Sequence, residues 1–95
     1  MTEISIEMFK RDQTKYWLLD VREPEEREVS SIEPAIAIPL GQLELRYTEL
    51  PLDRPIVVIC RSGARSSKAT SFLQSKGINA LNLTGGIIAY GISNT

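Results

Sequence analysis

The strongest constraint on the fold is a run of four β-branched residues, Ile56-Val57-Val58-Ile59, which no polar residue interrupts. A strand of this composition is buried on both faces, and such strands are typical of parallel sheets covered by helices on each side. The polar stretch Asp53-Arg54-Pro55 before it predicts a turn. A helix is expected after it, starting near Ser66 and ending just before Gly77. This order of strand, short loop and helix predicts an α/β fold.

The remaining sequence alternates in the same way between strands and helices. Ser5 is expected to cap the first helix, with Met8 and Phe9 as its inner contacts. Helices of this length between strands imply right-handed crossovers, so we expect a mainly parallel central sheet with helices on both faces. Ninety-five residues are enough for one core, which predicts a single domain over 1–95. The further predicted elements are strands at 16–21, 35–38 and 80–83 and helices at 5–11, 24–28, 40–50 and 87–90.

The only cysteine, Cys60, lies between the buried strand and the loop Arg61-Ser62-Gly63-Ala64-Arg65-Ser66. The thiol is therefore expected at the carboxyl edge of the sheet, facing the amino end of the next helix, where unpaired N–H groups favour an anion. Gly63 allows successive N–H groups to converge, and Arg61 and Arg65 add positive charge if they point inward. The sequence thus indicates a reactive thiolate in a loop that binds a sulfur anion or an oxyanion.

Two other interpretations of Cys60 stay open on the residues alone. A lone cysteine after an apolar strand is often an inert core thiol, although a core position needs neither two arginines nor a glycine beside it. Cysteine phosphatases and arsenate reductases also present a thiolate and an arginine, but they resemble C-x5-R, whereas Cys60 to Arg65 is C-x4-R. The absence of histidine excludes Cys-His and Ser-His pairs and leaves zinc almost without ligands.

The Cys60 loop is one of four sequence blocks that carry a family resemblance. The others are Leu18-Leu19-Asp20-Val21-Arg22-Glu23-Pro24-Glu25-Glu26, Ala35-Ile36-Ala37-Ile38-Pro39-Leu40 and Leu83-Thr84-Gly85-Gly86-Ile87. In order and spacing these blocks resemble the rhodaneses, the thiosulfate:cyanide sulfurtransferases and their single-domain relatives. The Cys60 loop is similar to that family's C-x-x-G-x-R-S active-site loop. The resemblance implies a single rhodanese-like domain.

The resemblance also implies a thiosulfate sulfurtransferase with a persulfide intermediate. Cys60 would take a sulfane sulfur from an anionic donor such as thiosulfate and pass it to a thiophilic acceptor, which is cyanide or a thiol on a protein or small molecule. The substrate-binding residues would be those of the loop, namely Arg61, Ser62, Gly63, Ala64, Arg65 and Ser66. A rhodanese-like persulfide carrier, or a protein-interaction module with little turnover of its own, is the alternative.

Two residues of the second block are expected to support the loop. Asp20 would accept hydrogen bonds from it, so that Asp20→Ala slows sulfur transfer more than it unfolds the chain. Arg22 would pair with a nearby carboxylate such as Glu23 or Glu26. Both expectations follow from the resemblance, which places this segment beside the active-site loop.

Charge and composition limit the classes of partner and the compartment that suit this chain. The net charge of −1 provides no basic field for nucleic acid, whereas the cations around Cys60 suit a small anion. No apolar run approaches the ~20 residues of a membrane span, and the amino terminus does not resemble a signal peptide. A lone reactive thiol is easiest to maintain in a reducing compartment. We therefore expect a cytoplasmic protein that binds no membrane, and the resemblance to the rhodaneses implies that it needs no metal or organic cofactor.

Overall fold

The computed structural model describes residues 2–90, which form a five-stranded sheet with helices packed on both faces. The strands are β1 (Glu3–Ile4), β2 (Trp17–Asp20), β3 (Ile36–Ala37), β4 (Ile56–Ile59) and β5 (Ala80–Leu83). The helices are α1 (Ile6–Arg11), α2 (Pro24–Val29), α3 (Leu43–Arg46), α4 (Ala64–Ser75) and α5 (Gly86–Tyr90). Short 3-10 turns lie at Gln13–Lys15, Leu40–Gln42 and Tyr47–Glu49.

All strand pairs are parallel, and the strand order is β1-β5-β4-β2-β3. Because β4 is central, alternate residues of its apolar run fill two different cores. Ile56 and Val58 pack with residues of α3 and α4, whereas Val57 and Ile59 pack with residues of α1 and α5. The predicted α/β fold is confirmed, and it places the carboxyl end of β4 between β2 and β5, in the middle of one sheet edge.

Several local predictions were wrong. Strand β1 was missed, because two residues are too short for a periodic pattern. Ser66 does not begin α4: Gly63 is the N-cap residue, and Ser66 lies in the first turn with no exposed surface. Of the two residues expected to pack inward from α1, Phe9 is buried but Met8 is 37% exposed. The apolar spacing at 40–50 fits 3-10 turns as well as an α-helix, and the chain there forms α3 between two such turns.

Candidate active site

The Cys60 sulfur lies where the loop after β4 turns into α4. The residue is only 1% exposed, and the Gly63 N–H donates a hydrogen bond to Sγ at 3.1 Å. Gly63 has φ +109°, a left-handed conformation that favours glycine, and this turns the chain from the strand into the helix. Hydrogen bonding from the N–H groups of Ser62 and Ser66 also contributes to lowering the pKa of the thiol. The loop therefore forms a nest of donors around a buried sulfur atom.

Helix α5 donates backbone hydrogen bonds to the start of this loop. The Ile87 N–H donates to the Cys60 carbonyl at 3.0 Å, and the Ile88 N–H donates to the Arg61 carbonyl at 3.1 Å. The two carbonyls can approach α5 because residue 86 is glycine: a Cβ there would lie 2.5 Å from the Cys60 oxygen and 2.6 Å from the Arg61 oxygen. These two hydrogen bonds fix the backbone at the start of the Cys60 loop against α5.

The surroundings change the acidity of the thiol. Burial of Cys60 by itself raises its pKa, because a thiolate loses hydration. Hydrogen bonds from the Ser66 hydroxyl and from the N–H groups of Ser66, Gly63 and Ser62 outweigh that effect, so the pKa lies below its usual value of 9.0. The site thus favours the thiolate, which is the nucleophilic form of cysteine.

The Ser66 hydroxyl is part of a buried polar network that reaches β5. Its oxygen contacts the side-chain oxygen of Asn82 and lies 3.2 Å from the Gly63 carbonyl, while the Asn82 amide donates to the same carbonyl at 3.4 Å. A hydroxyl has one proton, so it serves either these oxygens or the sulfur, and a charged thiolate is the strongest acceptor of the three. Asn82 was missed from the sequence, although a polar residue inside the apolar strand Ala80–Leu83 was a usable signal.

The two loop arginines behave differently. Arg61 is exposed and has no ion-pair partner among residues 2–90. Arg65 does not present a free charge as expected, because both its terminal nitrogens bind Glu26 of α2, at 2.6 and 2.7 Å. Hydrogen bonding from Arg65 lowers the pKa of Glu26 from 4.5 to about 2. Glu26 is therefore a second residue of the site whose role the sequence did not reveal.

The contact expected for Asp20 was wrong, and Arg22 pairs with a nearby carboxylate as expected, but with Asp20 instead of Glu23 or Glu26. The Asp20 carboxylate binds Arg22, with Nη2 at 2.9 Å, rather than the Cys60 loop, and it also accepts from Arg27 at 3.3 Å. Arg22 binds no carboxylate of α2: its other contacts are the carbonyls of Glu26 and Ser30. Asp20 and Arg22 are 1% and 3% exposed, and a buried carboxylate takes the nearest cation because an unpaired buried charge is costly. The pair lies at the end of β2, next to β4.

A separate cleft of about 350 Å³ lies near the amino ends of β2 and β3, lined among others by Phe9, Trp17, Pro34 and Arg54. None of its lining residues belongs to the Cys60 loop, so it plays no part in the chemistry described above. Within residues 2–90 no group of three or more acidic or cysteine side chains is arranged to hold a metal ion. In the same part of the chain, no helix has the length and apolar character needed to span a bilayer.

Comparison with known proteins agrees with this fold. A family model described as the rhodanese-like domain matches residues 4–92. A sulfurtransferase of Allochromatium vinosum is 43% identical over 74 residues, which is 77% of this chain and 69% of that protein. A rhodanese-related protein from Thermoplasma volcanium superposes with a TM-score of 0.91 at 34% identity, covering 95% of this chain and 90% of that one. A NAD-dependent persulfide reductase from A. fulgidus matches with a TM-score of 0.75 at 37% identity, over 92% of this chain and 15% of that one. This chain belongs to the rhodanese-like domain family.

Proposed function

We propose that the protein is a sulfurtransferase that carries a sulfane sulfur as a persulfide on Cys60. The observation that supports this most directly is the buried Cys60 sulfur at the start of α4, which accepts a hydrogen bond from the Gly63 N–H at 3.1 Å. The N–H donors of the loop stabilise the thiolate that attacks and the same thiolate when it later leaves. The related proteins named as a sulfurtransferase and a persulfide reductase support the same class of chemistry.

The reaction has two displacement steps. In the first, the Cys60 thiolate attacks the outer sulfur of thiosulfate, an S–S bond forms to Cys60, and sulfite leaves with the electron pair of the broken bond. In the second, an acceptor nucleophile attacks the outer sulfur of the persulfide, and the Cys60 thiolate leaves. Cyanide gives thiocyanate, and a thiolate gives a new persulfide. Neither step needs a separate general base, because the lowered pKa of Cys60 already favours the thiolate.

Different residues of the Cys60 loop bind the sulfur and attract the donor. The N–H groups from Ser62 to Ser66 hold the charged sulfur, and Ala64 has a side chain small enough to leave the loop open. Arg61, exposed and outside any ion pair of the described residues, attracts an anionic donor. The acceptor is a thiol on a protein or a small molecule, and a reducing compartment such as the cytoplasm keeps both thiols available.

The test is the intact mass of the reduced protein after incubation with thiosulfate and then with cyanide. We expect the wild-type chain to gain the mass of one sulfur atom and to lose it to cyanide, while Cys60→Ser gains none. The matched control is Ser67→Ala, which changes an exposed serine of helix α4 and should behave as the wild type. Uptake only from a persulfide donor would identify a carrier. No uptake from any sulfane sulfur donor would refute the proposal.

A further inference from the structure

The ion pair between Arg65 and Glu26 joins α4 to α2 across the edge of the Cys60 loop. It is bidentate, with the two N–O distances at 2.6 and 2.7 Å, and the side chains are 34% and 31% exposed. Glu26 is held from a second side, because its Oε1 accepts a hydrogen bond from the Glu23 N–H at 3.0 Å. The carboxylate is thus fixed in place by helix α2 before any substrate arrives.

Arg65 lies close enough to the active sulfur for the two charges to interact. The hydrogen bonds that Arg65 donates to Glu26 are the largest cause that raises the pKa of Arg65, and the negative charges of Glu26, Cys60 and Glu23 raise it further. The guanidinium would therefore be a strong attractant for an anionic donor if it were free. In this fold its charge is offset by Glu26, which leaves Arg61 as the loop's exposed cation.

We propose that Glu26 is a specificity-determining residue, which acts through Arg65 to lower the positive charge at the Cys60 loop. A donor with two negative charges loses twice as much attraction from this pairing as a donor with one. The pairing therefore shifts the donor preference of the site away from the thiosulfate dianion and toward sulfane sulfur donors of lower charge, such as thiosulfonates and alkyl persulfides. This preference rests on the proposed sulfur transfer, whereas the charge effect of Glu26 does not.

The first experiment measures the local charge without sulfur transfer. Cys60 is alkylated with iodoacetate, which is an anion, and with iodoacetamide, which is neutral. Because both probes react with the same thiolate, the ratio of their rates cancels any change in the pKa of Cys60. In Glu26→Gln the remaining oxygen can keep the two contacts of Oε1, with the Glu23 N–H and Arg65 Nη1, whereas the contact with Arg65 Nη2 and the negative charge are lost. We expect the iodoacetate to iodoacetamide rate ratio to rise about 3- to 10-fold at low salt, because the variant adds one unit of net positive charge near the thiolate, and to fall back at high salt.

The second experiment compares single-turnover sulfur uptake from thiosulfate and from benzenethiosulfonate. These donors differ by one negative charge, and each transfers its outer sulfur to the Cys60 thiolate with release of sulfite or a sulfinate. We expect Glu26→Gln to raise the thiosulfate to thiosulfonate rate ratio by a similar factor of about 3 to 10. The matched control is Glu28→Gln, which removes the same charge from an exposed residue of the same helix and should leave both ratios unchanged.

The outcomes separate the two proposals. If both ratios are the same in Glu26→Gln as in Glu28→Gln, the role of Glu26 is refuted. If the alkylation ratio rises in Glu26→Gln but no variant takes up sulfur, the charge effect of Glu26 stands and the donor preference falls together with sulfur transfer. A rise in both ratios, confined to Glu26→Gln, supports the donor preference.

Discussion

Replacing Gly86 by alanine should test how closely α5 must approach the active loop. The new Cβ would lie 2.5 Å from the Cys60 oxygen, 2.6 Å from the Arg61 oxygen and 2.7 Å from the Arg61 carbonyl carbon, all of them backbone atoms. The residue also has φ +63°, where a side chain costs about 1–2 kcal/mol. Overpacking adds about 1–3 kcal/mol. We therefore expect Gly86→Ala to lower the free energy of unfolding by about 2–5 kcal/mol.

The matched control is Gly77→Ala, because Gly77 has φ +78° but a Cβ added there would meet no atom within 4 Å. It should cost only the conformational part, about 1–2 kcal/mol. Urea unfolding at neutral pH measures both variants. Sulfur uptake should also slow in Gly86→Ala and not in Gly77→Ala, because only the former displaces the Cys60 carbonyl from its bond to α5. Equal destabilisation and equal uptake in the two variants would refute the close-approach argument.

Three further changes should have distinct effects. Ser66→Ala should raise the pKa of Cys60, because it removes a hydrogen bond that lowers this pKa, and alkylation by iodoacetamide at neutral pH should then be slower. The control is Ser67→Ala, at an exposed serine, which should leave the alkylation rate unchanged. Asp20→Ala should lower the free energy of unfolding, measured in urea, by about 3–5 kcal/mol, since it leaves the charge of Arg22 buried and unpaired. Its effect on the rate of sulfur transfer should be smaller. A decrease in the free energy of unfolding of less than about 1 kcal/mol would contradict this. The Glu26 carboxylate has its pKa lowered to about 2, so its stabilising effect is present above its unfolded pKa of 4.5 and is lost as the pH falls toward 2. The difference in urea midpoint between wild type and Glu26→Gln should accordingly shrink from pH 7 to acid, and a constant difference would exclude the linkage.

The fold was predictable because its strongest signals are local. The apolar run Ile56–Ile59 is buried at every position, and the strand Ala80–Leu83 was predicted with the bounds that the structure has. Elements of few residues were less predictable, since Glu3–Ile4 becomes a strand only through its pairing with β5. The start of α4 depends on the left-handed Gly63, a backbone property that the neighbouring serines obscured.

The choice of charge partners was harder to predict, because it depends on burial across the whole fold. Asp20 ends a buried strand, so its carboxylate is the most desolvated of the acids near the loop and must be paired first. Arg22, two residues further on, satisfies it and is then no longer available to the carboxylates of α2. Glu26 is left for Arg65, 39 residues away in sequence, and the loop loses the free charge that its sequence suggests.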